Sequence, residues 1–206
     1  MKTRPLLAGL AFAVAIIGTT FQAQAAVSIA YSNGATNGAG ISQRINSGAS
    51  VSDSFTLADS ATLNGAIVGI WTSPGDYLTS VDWAITSTAF GSVLASGTAS
   101  SITKTYFGTA SGFDVNDAGF AISSPTLAAG TYYFKLSNAV TANSGLAYWD
   151  NSTGPSIADQ STDGGATSFG LFCSQAFTLT AVPEASSACL GLLGATGLLI
   201  RRRRVD

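Results

Sequence analysis

Among 206 residues the chain has no histidine, two cysteines and one methionine. Without imidazole a serine lacks its usual general base, which argues against hydrolysis of the Ser-His type. Lys104 and Lys135 do not replace it, because both fall in strand-like patterns with no Ser-x-x-Lys arrangement. Zinc loses its two preferred ligand types for the same reason. Of the cysteines, Cys189 lies in a C-terminal apolar run, so the core owns a single thiol and closes no internal disulfide. Cys173 reads as a small buried apolar residue.

Basic residues are also scarce. Lys2, Arg4, Arg201, Arg202, Arg203 and Arg204 belong to the ends of the chain, leaving Arg44, Lys104 and Lys135 between Ala26 and Val182. They face nine aspartates and no glutamate there, a formal charge of −6. An acidic domain without a basic patch repels phosphate backbones, so nucleic acid is not an expected partner. Anionic lipid headgroups are disfavoured on the same ground.

The ends have a different character. Lys2 and Arg4 precede an apolar stretch from Leu6 to Ile17, followed by Ala23-Gln24-Ala25. A positive start, a short apolar segment and an A-x-A site are the parts of a secretory signal peptide. The apolar segment is too short to span a bilayer comfortably, so signal peptidase is expected to cut after Ala25, with Ala23 and Ala25 forming its site. At the other end Val182-Pro183-Glu184-Ala185 opens an uncharged run to Ile200, which Arg201, Arg202, Arg203 and Arg204 follow. Sixteen residues make roughly 24 Å of helix, and snorkelling arginines extend its reach toward the lower limit for spanning. The arginines should stay cytoplasmic, which places the domain on the far side of the membrane.

Pro183, Glu184, the Leu/Gly-rich run through Ile200 and the cluster Arg201-Arg202-Arg203-Arg204 together resemble a PEP-CTERM sorting signal; Ala185 stands where that pattern has its second proline. The resemblance covers about the last 25 residues. It implies export by a Gram-negative bacterium that makes extracellular polysaccharide, and an exosortase partner that recognises the tail and removes its helix. A plain membrane anchor is the alternative reading of the same segment.

Between the ends, period-2 alternation recurs and helical periodicity does not. Val81, Trp83 and Ile85 share one face, as do Tyr132, Phe134 and Leu136, and Phe177, Leu179 and Ala181. Shorter runs at 26–31, 51–57, 66–71, 102–107, 119–122, 145–149 and 168–172 have the β-branched and aromatic enrichment of strands. Asn33-Gly34, Asn37-Gly38, Ser73-Pro74-Gly75-Asp76 and Asn143-Ser144-Gly145 supply turns. The expected architecture is all-β, an antiparallel sandwich or jelly-roll-like domain over 26–181. A signal helix at 1–25 and a transmembrane helix within 182–206 flank it. Residues 157–167 read as a loop, and 32–50 as loosely ordered. Val81-Asp82-Trp83, Gly130-Thr131-Tyr132-Tyr133 and Ala147-Tyr148-Trp149-Asp150 resemble, loosely over 51–154, sandwich domains that precede PEP-CTERM tails.

Three chemistries suit what is present. Asp114-Val115-Asn116-Asp117 offers oxygen ligands for a structural Ca²⁺, with Asp159 and Asp163 as a second loop candidate. Trp71, Tyr77, Tyr106, Tyr133, Tyr148 and Trp149 are the aromatics expected at the surface. Tyr148 and Trp149 would be the centre of a sugar-stacking platform for extracellular polysaccharide. Two aspartates facing across a cleft would make a glycosidase, although most of the aspartates, including Asp53, fall where turns are expected. The expectation is therefore a non-enzymatic, exported surface or matrix protein without a cofactor, with a carbohydrate-binding module as runner-up and a glycosidase third.

Overall fold

The computed structural model describes residues 28–182. The signal-peptide reading, with Ala23 and Ala25, lies outside the described residues. So does the sorting-signal reading, with Pro183, Glu184, Cys189, Arg201, Arg202, Arg203 and Arg204. Among the residues described, the chain is all-β and no helix is long and apolar enough to cross a membrane.

The strands are β1 (Ser28–Ser32), β2 (Gln43–Arg44), β3 (Ser50–Leu57), β4 (Ala61–Thr72), β5 (Leu78–Thr86), β6 (Val93–Ala99), β7 (Thr103–Ala110) and β8 (Phe113–Ala121). They continue as β9 (Thr126–Leu127), β10 (Gly130–Thr141), β11 (Ala147–Trp149), β12 (Asn151–Ser152), β13 (Ala158–Ser161), β14 (Phe169–Gly170), β15 (Ser174–Gln175) and β16 (Phe177–Ala181). All pair antiparallel. In the first sheet β7 pairs with β8 and β8 with one edge of β4. The other edge of β4 is shared by β16 and β11, which carry β1 and β2 beyond them. The second sheet runs β14-β13-β3-β10-β5-β6, and β12 and β15 form a small ribbon.

Alternation explains how the sheets meet. Ala66, Val68 and Ile70 of β4 and Phe177 and Leu179 of β16 point inward from the first sheet. Val81, Trp83 and Ile85 of β5 and Phe134 and Leu136 of β10 point inward from the second. The Phe134 ring lies 5.9 Å from Trp149, edge-on, and 5.7 Å from Phe177, so aromatic rings close the space between the layers. Tyr31 reaches across to Phe55 at 5.9 Å.

Several local expectations are corrected. Residues 157–167 contain β13, which pairs with β3 from Ala158 to Ser161. Strand β6 carries no alternation to read because it is a mostly exposed edge of small and polar residues. Strand β4 has 12 residues, twice the run that sequence marks. Asp53 and Asp117 lie well inside strands, whereas Asp114 opens β8 just after the turn at Ser111–Gly112. Cys173 is only half-buried, at the rim of the core, where the Gln175 amide points at its sulfur.

Phe134 is completely buried between the two other rings. Phe134→Ala should cost about 3–5 kcal/mol of unfolding free energy. Tyr106→Ala, on an exposed side chain, should stay within about 0.5 kcal/mol. Urea unfolding of the two variants checks the contrast.

Candidate functional site

From Gly65 onward the odd-numbered residues of β4 face away from the core, yet Gly69 and Trp71 are buried there. The cause is residues 33–42, which cross the outer face of the first sheet as an irregular strap. Its grip is two carboxylates, Asp150 and Asp117. Asp150, directly after β11, accepts from Trp71 Nε1 at 2.7 Å through Oδ1, and from the Asn37 and Gly38 amides at 2.9 and 3.2 Å through Oδ2. Asp150 is fully buried, and these neutral donors take the place of water around its charge. Thr36 adds a hydroxyl hydrogen bond to Asp117.

The sheet is built to receive the strap. A Cβ on Gly69 would stand 2.6 Å from Thr36 Oγ1 and 2.8 Å from Asp150 Cβ, so only glycine fits beneath it. Gly69 is also where β4 changes partner. Its amide donates to Ala176 O at 3.1 Å and its carbonyl accepts from Asp150 N at 2.8 Å, while Ala176 N donates to Asp150 O at 2.7 Å. Beside the strap, Trp71, Phe113 and Tyr148 form a ledge, with Phe113 6.1 Å from Trp71 and 5.6 Å from Tyr148. Phe113 and Tyr148 are half-buried.

The strap's first residue is pinned to the opposite sheet. Asn33 Nδ2 donates to Asp53 Oδ2 at 2.9 Å and to Ser156 Oγ at 2.6 Å, and Asn33 Oδ1 accepts from Tyr31 Oη at 2.9 Å. Gln175 N adds a second bond to Asp53 Oδ2 at 2.7 Å, while Asp53 Oδ1 has no partner. Burial pushes the Asp53 carboxyl up to about 6 against the pull of its hydrogen bonds. Burial and then the Asp53 charge raise Tyr31 and the Cys173 thiol in turn.

The calcium candidates do not converge. On β8, Asp114 and Asn116 project to the core side, Asp114 accepting from Gly75 N at 2.8 Å, and Asp117 projects to the strap. Asp163 is engaged by Ser161 and Thr167 within its own loop, bonds that hold its carboxyl below the ordinary range. Among the described residues no group of three or more His, Cys, Asp or Glu side chains could hold a metal. The expected aromatic platform is corrected as well: Trp149 is fully buried in the core and Trp71 lies beneath the strap. Trp149 shares its face with buried Ala147, a parity visible in the sequence, and its Nε1 donates to Ala176 O at 2.9 Å. Tyr148 keeps a half-buried ring; Tyr77 and Tyr106 are the tyrosines in the open, with Lys104 Nζ 4.7 Å above the Tyr77 ring. Sequence reasoning missed Asp150, Asn33 and Gly69, whose roles arise only when distant segments meet.

Comparison with known proteins adds no family: no protein-family model matches the chain, and no curated protein is found similar to it.

Asp150→Ala strands the Trp71 indole and two strap amides. It should cost about 1–3 kcal/mol and abolish hydrogen-exchange protection at Asn37 and Gly38 while β10 stays protected. Asp53 gives a pH signature. Its folded carboxyl binds a proton more tightly than the unfolded one, so its stabilisation is complete below about pH 4 and is lost as pH rises through 6. A carboxyl titrating near 6 in place of 3.8 corresponds to about 3 kcal/mol. Between pH 4 and 6.5 the wild type should lose about that much stability relative to Asp53→Asn. A constant gap between the two denaturation profiles would refute the assignment.

Proposed function

We propose that this chain is an exported, surface-tethered, non-enzymatic protein of the cell envelope or extracellular matrix of a Gram-negative bacterium, sorted through its C-terminal PEP-CTERM-like signal. The observation that carries it is the agreement of the two ends. The N-terminal segment directs the domain outward. Pro183-Glu184, the apolar run and Arg201, Arg202, Arg203 and Arg204 hold the following chain at the membrane with the charge inside. Signal peptidase and an exosortase are the partners this implies. The intervening domain is read as a sandwich of the jelly-roll-like kind.

Two features of the domain support a carrier of surface and not of chemistry. Ser28 pairs with Ala181, so both segments leave from adjacent strands at one end, and a tether there leaves the rest of the domain projecting. Seven of the nine aspartates, the groups on which acid–base chemistry would rely, are engaged by the domain's own donors. A polysaccharide-binding role has lost Trp149, one of its two central residues, and also Trp71 to burial; its remaining support is half-buried Tyr148 and exposed Tyr77 and Tyr106, with Lys104 over the Tyr77 ring.

Intact mass of the protein from the producing organism tests the reading. A species beginning at Ala26 and ending near Pro183 or Glu184 is expected. Replacing all four arginines, Arg201 to Arg204, with neutral residues should impair membrane retention of the precursor, because the stop-transfer charge is gone. Wild-type retention and processing in that variant would refute the sorting reading.

A further inference from the structure

Asparagine followed by glycine is a chemically fragile pair. The glycine nitrogen, with no side chain to shield it, can attack the asparagine Cγ and close a five-membered succinimide. The chain has three such pairs, Asn33-Gly34, Asn37-Gly38 and Asn64-Gly65, and the fold treats them differently.

Two of them are protected. Asn33 is fully buried, and its Nδ2 is the group that would leave as ammonia. That nitrogen donates to Asp53 Oδ2 at 2.9 Å, Ser156 Oγ at 2.6 Å and Gln175 O at 3.0 Å. Asn64 and Gly65 belong to β4, where Gly65 pairs with Thr180 on one side and Ala121 on the other. Bringing the Gly65 nitrogen onto Cγ would disrupt a strand that is laddered along both edges.

Asn37-Gly38 has the opposite arrangement. Asn37 is exposed in the strap, outside any ladder, and Gly38 takes a φ of 61°. Ala39 N donates to Asn37 Oδ1 at 2.7 Å, a bond that folds the carboxamide back over the intervening Gly38 amide. The same bond polarises the carbonyl and stabilises the negative charge that its oxygen gains during attack. Gly38 N donates to Asp150 Oδ2 at 3.2 Å, so a carboxylate stands at the proton that must be lost. Attack uses the nitrogen's electron pair above the peptide plane, and the N–H can stay in that plane on Asp150. Asn37 Nδ2 makes no hydrogen bond among the described residues, leaving it free to depart.

We propose that Asn37 is a self-modifying site, at which the strap converts its own asparagine to isoaspartate and aspartate. Gly38 N forms a bond to Asn37 Cγ and gives its proton to Asp150. The Cγ–Nδ2 bond then breaks, and Nδ2 takes that proton and leaves as ammonia. Water opens the succinimide: attack at the main-chain carbonyl gives isoaspartate, and attack at Cγ gives aspartate. Either product places a new carboxylate beside Asp150, and isoaspartate also inserts a methylene between the two amides that Asp150 Oδ2 holds. The strap therefore loosens as the protein ages, uncovering Gly69 and Trp71. None of this depends on how the chain is sorted.

The test incubates the full chain in detergent near neutral pH, folded and urea-unfolded, and follows its tryptic peptides by mass spectrometry. Asn33 and Asn37 share the peptide ending at Arg44, where fragmentation separates them, and Asn64 lies in the next, ending at Lys104. Asn37 should convert at least about tenfold faster in the folded chain than in the unfolded one, through its polarised carbonyl and positioned base. Asn33 should convert about a hundredfold more slowly folded than unfolded, because three hydrogen bonds must first be given up. Asp150→Asn should bring Asn37 down to its unfolded rate. Ala39→Pro, at an exposed position, deletes the N–H on Oδ1 and should slow conversion several-fold even if Asp150→Asn folds poorly. The converted species, isolated by ion exchange, should lose hydrogen-exchange protection at Gly38 with β10 unchanged. An Asn37 that converts no faster folded than unfolded would overturn the proposal. So would a fast folded rate that persists in Asp150→Asn, and full protection at Gly38 after conversion would overturn the loosening.

Discussion

A carboxylate can stay charged away from water only if donors are brought to it, and at Asp150 that requirement organises the outer face of the first sheet. The indole of Trp71, the amides of Asn37 and Gly38 and the junction of β4 with β11 and β16 converge on this residue. No ladder joins the strap to the sheet; Asp150 holds it at Asn37 and Gly38, with Asp117 at Thr36 and a single backbone bond from Asn33 to Phe177. The glycine beneath follows from the same demand, because the strap can approach Asp150 only if position 69 has no side chain.

The domain handles its acidity by local chemistry. With three basic residues against nine aspartates, neutral N–H and O–H groups supply most of the compensation. This explains why serine, threonine, asparagine and glutamine recur at buried positions, as at Asn33, Ser174 and Gln175, where two sheets and a ribbon meet. Such interactions depend less on ionic strength than surface ion pairs do.

What could be read from sequence follows from which residues face two different environments. Strands β5, β10 and β16 show clean alternation because one face meets the core and the other meets water. Strand β4 was legible only over 66–71, because in its first five residues Leu63 alone is buried and no apolar alternation develops. Strand β6 was invisible because an exposed edge rich in small residues has no apolar face to announce it. Aspartate in a sequence signals a turn, and Asp163 obeys that rule. Asp53 and Asp150 do not, because their donors come from segments up to 122 residues away. Oxygen donors clustered in sequence at 114–117 are separated by the pleat of β8, which sends Asp117 to the opposite face from Asp114 and Asn116.

The position of β16 has a mechanical consequence. The strand that ends the described domain is not at the rim of its sheet; β1 flanks it on one side and β4 on the other. A load transmitted through the chain beyond Val182 and directed along that strand strains both ladders in shear, with their hydrogen bonds sharing the force. A C-terminal strand at the rim would have a single ladder to carry the same load. Tension at the exit of the domain therefore falls where the sheet is braced from both sides.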